Sequence, residues 1–85
     1  MVPNKDGNAL LHYMAMVDND YTRHKIRTSP ETHKELNVQN HLGQTPMHIA
    51  YIHRNLETAL LLRTLGANPK IQDNKGKTPE DYLPY

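Results

Sequence analysis

The amino-acid sequence predicts an all-α protein, built as a helix-turn-helix solenoid with projecting β-hairpin loops. Two stretches of the chain match each other at a constant offset of 33 residues, which indicates a repeat array. In the best-defined unit, a Thr-Pro pair opens a short apolar segment, a second apolar segment follows, and a polar stretch with a glycine ends the unit. This order is typical of two short helices and a loop.

The repeat is clearest between "NHLGQTPMH" at 40–48 and "DNKGKTPED" at 73–81. Every position of the shared Gly-x-Thr-Pro motif keeps the offset of 33 residues. A weaker and slightly longer copy begins with "NKDGNALLH" at 4–12. The sequence therefore predicts three units, of which the first is divergent and the last is partial or capping: 4–39, 40–72 and 73–85.

The middle unit predicts two helices. Thr45 suits the N-cap, because its hydroxyl can accept a hydrogen bond from a free N–H of the first turn. Pro46 suits the first helical position, where its missing N–H costs nothing. A helix is therefore predicted over 46–53 and a second one over 56–65, with Gly66 ending it at positive φ. The polar stretch that follows the glycine reads as the projecting loop.

The first unit predicts an inner helix over 9–17, "ALLHYMAMV". Its outer part, 20–36, is far more polar and holds the extra residues of this unit. Ser29 followed by Pro30 predicts a second N-cap that splits the outer helix in two. In the third unit Pro84 is expected to stop the inner helix after about one turn.

The second helix of the middle unit carries an apolar stripe that covers more than half of its circumference. We interpret this stripe as the core between units together with a face against the next unit, with an exposed contact at Leu60 as the alternative. Its members are Leu56, Ala59, Leu60, Leu61, Leu62 and Leu65.

The pattern Asp-x-x-Gly-x-Thr-Pro-Leu-His-x-Ala, followed by Leu-Leu-x-x-Gly-Ala, resembles the ankyrin repeat. The resemblance is strongest in 40–72, continues in 73–83, and is degraded at 4–17, where Ala-Leu replaces Thr-Pro. It implies stacked helix pairs joined by hairpin loops. It also implies structural roles in capping the helices and tying units together for His12, Thr45, Pro46, His48, Gly66, Thr78 and Pro79.

His48 is the residue that most invites a catalytic interpretation. In the ankyrin pattern, however, this imidazole bonds the Thr45 hydroxyl and the backbone of a neighbouring loop. The same position holds His12 in the first unit and Asp81 in the third. A catalytic residue has no reason to recur in each unit, so a structural role is favoured.

Composition and motifs argue against several other functions. The net charge is +1 with acids and bases interspersed, so neither a nucleic acid nor an anionic membrane surface is the expected partner. No apolar run reaches the roughly 20 residues that cross a bilayer, so membrane insertion is not expected. The chain has no cysteine, hence no disulfide framework and no thiolate metal site.

An enzyme or a metalloprotein is equally poorly supported. The six histidines include no His-Glu-x-x-His pair, and His24, His33 and His41 lie in polar stretches where we expect them to be solvated. Ser29 is the single serine and lies outside any Gly-x-Ser-x-Gly motif. We therefore expect no catalytic residue, no metal ligand and no cofactor.

The ankyrin resemblance implies that hairpin tips and the exposed side of inner helices bind a partner protein. Leu42 is unusual there, since an apolar tip residue either contacts a partner or packs under the adjacent hairpin. Both alternatives stay open from the sequence. The residues at these positions are Lys5, Asn8, Met16, His41, Leu42, Gln44, Ile52, His53, Asn74, Lys75 and Lys77.

The leading hypothesis is a non-catalytic protein–protein interaction module whose partner is another protein of unknown identity. The alternative is a structural or terminal segment of a larger ankyrin-containing protein, such as a regulator or a secreted effector. We expect an intracellular location, in cytoplasm or nucleus, or the inside of a host cell for a secreted effector.

Overall fold

A computed structural model describes residues 7–17 and 19–83. Six helical segments occur in these residues: α1 Leu10–Ala15, α2 Asp20–Thr28, α3 Pro30–His33, α4 Pro46–Ile52, α5 Leu56–Thr64, and a final 3₁₀-helix, Pro79–Tyr82. The predicted all-α class is confirmed. The predicted β-hairpins are not, because the structure assigns no strand between residues 7 and 83, position 18 aside, and the loops are tight turns instead.

The inner helix α4 begins where the Thr-Pro pair predicts a helix. The Thr45 side chain accepts a hydrogen bond from the His48 amide, and Pro46 is the first helical residue. Pro46 through Ala50 are all buried. Beyond the helix Arg54 has φ 60°, the one positive φ at a residue other than glycine in the described chain. This residue turns the backbone toward α5.

The outer segment of the first unit is split as the sequence predicts, with α2 ending at Thr28 and α3 beginning at Pro30. The capping detail is different. The Ser29 side chain makes no capping hydrogen bond, and it is the Thr32 hydroxyl that donates to the Ser29 carbonyl over 2.7 Å. The same hydroxyl lies 3.2 Å from the Ile26 carbonyl, so Thr32 closes the junction of the two helices. The inner helix α1 is shorter than the predicted 9–17.

The core lies between the inner and outer helices. α4 packs against α1, against α5 and against the 3₁₀-helix, so it is the centre of the stack. Burying such apolar side chains contributes about 1.5–3 kcal/mol for each large one. The buried hydrophobic residues are Leu11, Ala15, Ile26, Leu36, Met47, Ile49, Ala50, Ala59, Leu62 and Ala67.

The apolar stripe of α5 is only partly core. Ala59 and Leu62 are fully buried, whereas Leu56 and Leu60 are 54% and 65% exposed. Leu56 is therefore not part of the core between units, and Leu60 is exposed, as the alternative for that residue predicted. They lie on the outer face of α5, on which no other described segment packs closely enough to cover them.

Two polar contacts fasten the first unit to the second. The Asn55 side-chain amide donates to the Ala15 carbonyl over 2.8 Å, which satisfies a free acceptor at the end of α1. The Arg23 guanidinium pairs with Asp20 on its own helix and lies 3.3 Å from a carboxylate oxygen of Glu57 on α5. These contacts fix the helix pairs relative to each other and thereby align the turns at their ends.

Candidate interaction surface

The turns at 40–44 and 73–77, here called the middle turn and the last turn, share one geometry. In the middle turn the Asn40 amide donates to the Gln44 carbonyl over 2.9 Å. The Asn40 side-chain oxygen accepts from the amides of Leu42 and Gln44, both at 3.0 Å. An Asx side chain that closes its own turn in this way holds the backbone without a strand.

In the last turn Asp73 takes the place of Asn40. Its amide donates to the Lys77 carbonyl over 2.8 Å, and its Oδ1 accepts from the amides of Lys75 and Lys77 at 2.9 and 3.0 Å. The two turns therefore place equivalent residues along the same edge of the molecule.

The middle and last turns are fastened side by side. The Asn74 amide donates to the Leu42 carbonyl over 3.0 Å, and its side-chain amide donates to the His41 carbonyl over 2.9 Å. Gly43 has φ 76° and lies so close to Asn74 that an added Cβ would stand 2.6–2.7 Å from its atoms. The tips thus form one continuous and well-fixed surface.

His48 joins the helix start to the last turn. Its Nδ1 accepts a hydrogen bond from the Thr45 amide over 3.0 Å and lies 2.8 Å from the Thr45 hydroxyl oxygen. Its Nε2 lies 2.8 Å from the Lys77 carbonyl. Because a carbonyl only accepts, Nε2 carries a hydrogen and donates it to the Lys77 carbonyl. The ring is fully buried, which leaves it no access to a substrate.

His12 repeats this arrangement one unit earlier. Its Nδ1 accepts from the Ala9 amide over 2.9 Å, and its Nε2 donates to the Gln44 carbonyl over 2.7 Å. Burial lowers the pKa of His12 and outweighs the opposing effects of the Gln44 carbonyl and the Glu35 carboxylate. The neutral ring that these hydrogen bonds need is therefore the stable form near neutral pH.

The Asp73 side chain of the last turn is hydrogen-bonded to Tyr82 of the 3₁₀-helix. The Tyr82 hydroxyl donates to Asp73 Oδ2, and Asp73 is 7% exposed. Burial alone would raise the pKa of Asp73, but hydrogen bonds from Tyr82, Lys77 and Lys75 outweigh it and hold that pKa below its ordinary value. Burial and the neighbouring Asp73 carboxylate raise the pKa of Tyr82 to about 12. Both oxygens of the ionised Asp73 are therefore occupied within the fold.

Most of the predicted partner-binding residues of the turns reach solvent. Leu42 is 60% exposed, so the alternative that it packs under an adjacent hairpin is wrong. The other exposed members of this set are His41, Asn74, Lys75 and Lys77.

The remaining predicted partner-binding residues differ in their exposure. Ile52 is 39% exposed and His53 is exposed, and both lie at the end of α4. Met16 is half-buried and packs against the core, so the expectation that it is an exposed contact is wrong. Asn8 and Gln44 are half-buried as well, and both contact the Asn40 side-chain amide, at 2.9 and 3.3 Å. Lys5 lies outside the described residues.

The prediction that His33 is solvated is wrong, because its ring is half-buried and its Nε2 lies 2.9 Å from the Ile26 carbonyl. The sequence analysis also missed that Leu10 and Tyr13 of α1, which are 60% and 43% exposed, form an exposed apolar row with Val17 just beyond the helix, which is 44% exposed and was expected to be exposed. Their spacing of three and four residues is the signal that could have revealed it.

The described residues form no concave site for a small molecule. No pocket is found over residues 7–17 and 19–83. In the same part of the chain no three His, Cys, Asp or Glu side chains lie together as metal ligands would. Nor does any described helix have the length and apolar character that crossing a bilayer requires.

Stacked helix pairs, turns fastened side by side, and an imidazole joining each turn to the next define a helical repeat protein. Comparison with known proteins supplies the particular family. The family model described as Ankyrin repeat matches residues 42–74, which confirms the resemblance to the ankyrin-repeat family. Members of this family are generally protein–protein interaction modules.

The curated relatives are much longer than this chain. NF-kappa-B inhibitor alpha of Sus scrofa is 35% identical over 77 residues, which are 88% of this chain and 24% of that protein. The B-cell lymphoma 3 protein of Homo sapiens is 33% identical over 76 residues, covering 88% and 17%. The Ankyrin repeat and LEM domain-containing protein 1 homolog of Caenorhabditis elegans is 37% identical over 68 residues, covering 80% and 10%. The chain thus spans about a quarter of the first of these proteins and less of the others.

Proposed function

We propose that this chain is a non-catalytic protein–protein interaction module that binds a partner through its turn tips and the exposed end of α4. The observation that carries the proposal is Leu42, an apolar side chain 60% exposed on a turn whose backbone is held by Asn40 and Asn74. A surface that is ordered before binding loses little conformational entropy when a partner docks. An exposed apolar side chain on such a surface is a typical anchor.

The surroundings of Leu42 fit this role. His41 and Asn74 flank it with polar groups, and Ile52 and His53 are also exposed, at the far end of α4 from the middle turn. An apolar centre within a polar rim is the usual composition of a protein interface. The relatives support the same class of function, since one is named as an inhibitor of NF-kappa-B. We place the activity inside a cell, in cytoplasm or nucleus, and a chain without cysteine is compatible with such a reducing compartment.

A second candidate is a packing segment of a longer ankyrin protein. It is favoured by the exposed apolar row that Leu10 and Tyr13 of α1 form with Val17 just beyond the helix, which is unlike the polar surface of most helices. In that case the row, and not the turn tips, would make the contact that matters.

Two leucines of similar exposure separate these candidates. Leu42 on the middle turn and Leu60 on α5 are 60% and 65% exposed, so truncation of either side chain should leave the core intact. The wild-type chain, Leu42→Ala and Leu60→Ala would each be used to capture proteins from a cell lysate, after far-UV circular dichroism has shown equal helicity. We expect a protein held by the wild type and by Leu60→Ala, and lost with Leu42→Ala.

The other outcomes count against the tips. Equal capture by all three chains would move the contact away from Leu42. A Leu10→Ala and Tyr13→Ala double variant, tested in the same way, would then show whether the α1 row is the binding surface.

A further inference from the structure

The turn tips carry two lysines, Lys75 and Lys77, that form no ion pair with any described residue. We define the tip patch as His41, Leu42, Asn74, Lys75 and Lys77. We propose that the tip patch takes an acidic peptide segment that also carries a large apolar side chain. This inference rests on the proposed function, and it names the chemistry of the partner at the same site.

Both lysines of the patch are exposed and unpaired. In the described part of the chain, neither the Lys75 nor the Lys77 ammonium forms an ion pair, while other cations such as Arg23 and Arg63 do. The Lys77 ammonium lies 5.3 Å from the centroid of the Tyr82 ring, which holds it at one place beside the last turn. A partner carboxylate would therefore meet two cations without displacing an internal acid.

The acidic residues nearby are all engaged elsewhere. Asp73 is 7% exposed, its Oδ1 accepts from the two lysine amides and its Oδ2 accepts from Tyr82. The Glu80 carboxylate lies 3.4 Å from the Arg63 guanidinium, and Asp81 accepts from the Thr78 amide over 2.8 Å. The patch thus presents ammonium groups outward and keeps its own carboxylates inward or to one side.

An apolar anchor stands next to these charges. The Leu42 carbonyl accepts from the Asn74 amide, so Leu42 and the last turn keep a fixed relation. Gly43 has no room for a side chain on the Asn74 side, which keeps the two turns in contact. Two cations beside a fixed, exposed leucine complement a segment in which carboxylates flank a leucine, isoleucine, phenylalanine or tryptophan. Charge complementarity selects the segment and speeds its encounter with the patch, and the apolar contact prolongs the complex.

The test is selection of a random dodecapeptide library displayed on phage against the full 85-residue chain. We expect the enriched peptides to carry an excess of Asp and Glu around one large apolar residue. The most enriched peptide is then synthesised and its affinity measured by titration calorimetry. Raising the salt concentration from about 50 to about 300 mM should lower the affinity of the peptide several-fold, because exposed ion pairs are screened by salt.

Matched variants assign the effect to the patch. Lys75→Gln with Lys77→Gln should weaken the peptide at least about fivefold at low salt and remove most of the salt dependence. Lys70→Gln removes an exposed lysine outside the patch and should leave the affinity unchanged. Peptides without an acidic excess, or an affinity that the double variant does not change, would overturn the inference.

The proposed binding site and the proposed acidic partner can be tested separately. If the enriched peptides are lost with Leu42→Ala but not with the double lysine variant, the turn tips bind a partner and the acidic preference is wrong. If no enriched peptide depends on Leu42, both the proposed site and this inference are wrong.

Discussion

At the scale of the residue, the contact between the middle turn and the last turn depends on Gly43. Its φ of 76° lies in the left-handed region, and the space where a Cβ would stand is filled by Asn74. Gly76 occupies the same position of the last turn, also at φ 76°, but has nothing within 4 Å of its own Cβ position. The two glycines therefore share one conformation and differ in a single respect, the approach of a neighbouring turn.

We predict that Gly43→Ala destabilises the protein more than Gly76→Ala. Both changes place alanine at positive φ, at a cost of about 1–2 kcal/mol. Gly43→Ala adds the steric conflict with Asn74, which we expect to cost a further ~1–3 kcal/mol. Urea unfolding followed by circular dichroism measures both. Equal losses of unfolding free energy would mean that the turns are not held in contact.

Arg54 offers a gain in stability. It has φ 60°, where a side chain is disfavoured and glycine is not. We predict that Arg54→Gly raises the free energy of unfolding by about 0.5–1 kcal/mol, after allowing for the greater freedom of glycine in the unfolded chain. His53→Gly is the control, because His53 has φ −86° and glycine should be destabilising there. A loss of stability with Arg54→Gly would contradict this account of the α4–α5 connection.

At the scale of the element, α5 carries both a buried leucine and an exposed leucine. Leu62 is fully buried and Leu60 is 65% exposed, two residues apart on the same helix. We predict that Leu62→Ala lowers the free energy of unfolding by about 2–5 kcal/mol, and that Leu60→Ala changes it by less than ~0.5 kcal/mol. Thermal or urea unfolding of both variants measures the difference. A comparable loss in the two would show that the outer face of α5 is covered in solution.

Much of each element could be predicted from sequence. The Thr-Pro pair predicts where α4 begins, Ser29 with Pro30 predicts the split between α2 and α3, and the glycine at 66 follows the end of α5 with φ 111°. These features depend on a few neighbouring residues, which is why local chemistry predicts them. The β-hairpins were not found, because an Asn or Asp side chain closes each turn where a strand pairing had been expected.

The candidate site was less predictable for a physical reason. Whether a side chain is exposed depends on what packs beside it from other units, which local patterns do not contain. Met16 was expected at the surface and packs on the core, while Leu56 was expected in the core and is 54% exposed. The exposure of residues in the turn tips was easier to predict, because a projecting turn is solvated on most sides whatever lies behind it. The unpaired charge of Lys75 and Lys77 became visible only when the nearby carboxylates were seen to be engaged.

At the scale of the whole molecule, the buried His12 imidazole connects stability to pH. His12 has a pKa below its ordinary value of 6.5, because burial favours the neutral ring. The unfolded chain therefore binds a proton at a higher pH than the folded chain does. Stability from this residue is fully present above about 6.5 and is lost as the pH falls toward the lowered folded pKa.

We predict that the free energy of unfolding decreases between pH 7.5 and pH 5, and that His12→Gln makes this decrease smaller. Urea unfolding at several pH values measures the slope for both chains. Remaining above pH 5 separates this effect from Asp73, whose pKa is held below its ordinary value of 3.8 and whose contribution is lost only in more acidic solution. A slope that is the same in both chains, or a protein that gains stability on acidification, would contradict this role of His12.

The central claim is that the turn tips and the end of α4 form the surface that binds a partner. The most direct measurement is amide chemical-shift mapping of the isotope-labelled chain, titrated with the protein captured in the lysate experiment. The account predicts shift changes at 41–44, 52–53 and 74–77, with little change along α2 and α5. Changes centred on the exposed row of α1, or on the outer face of α5, would contradict it.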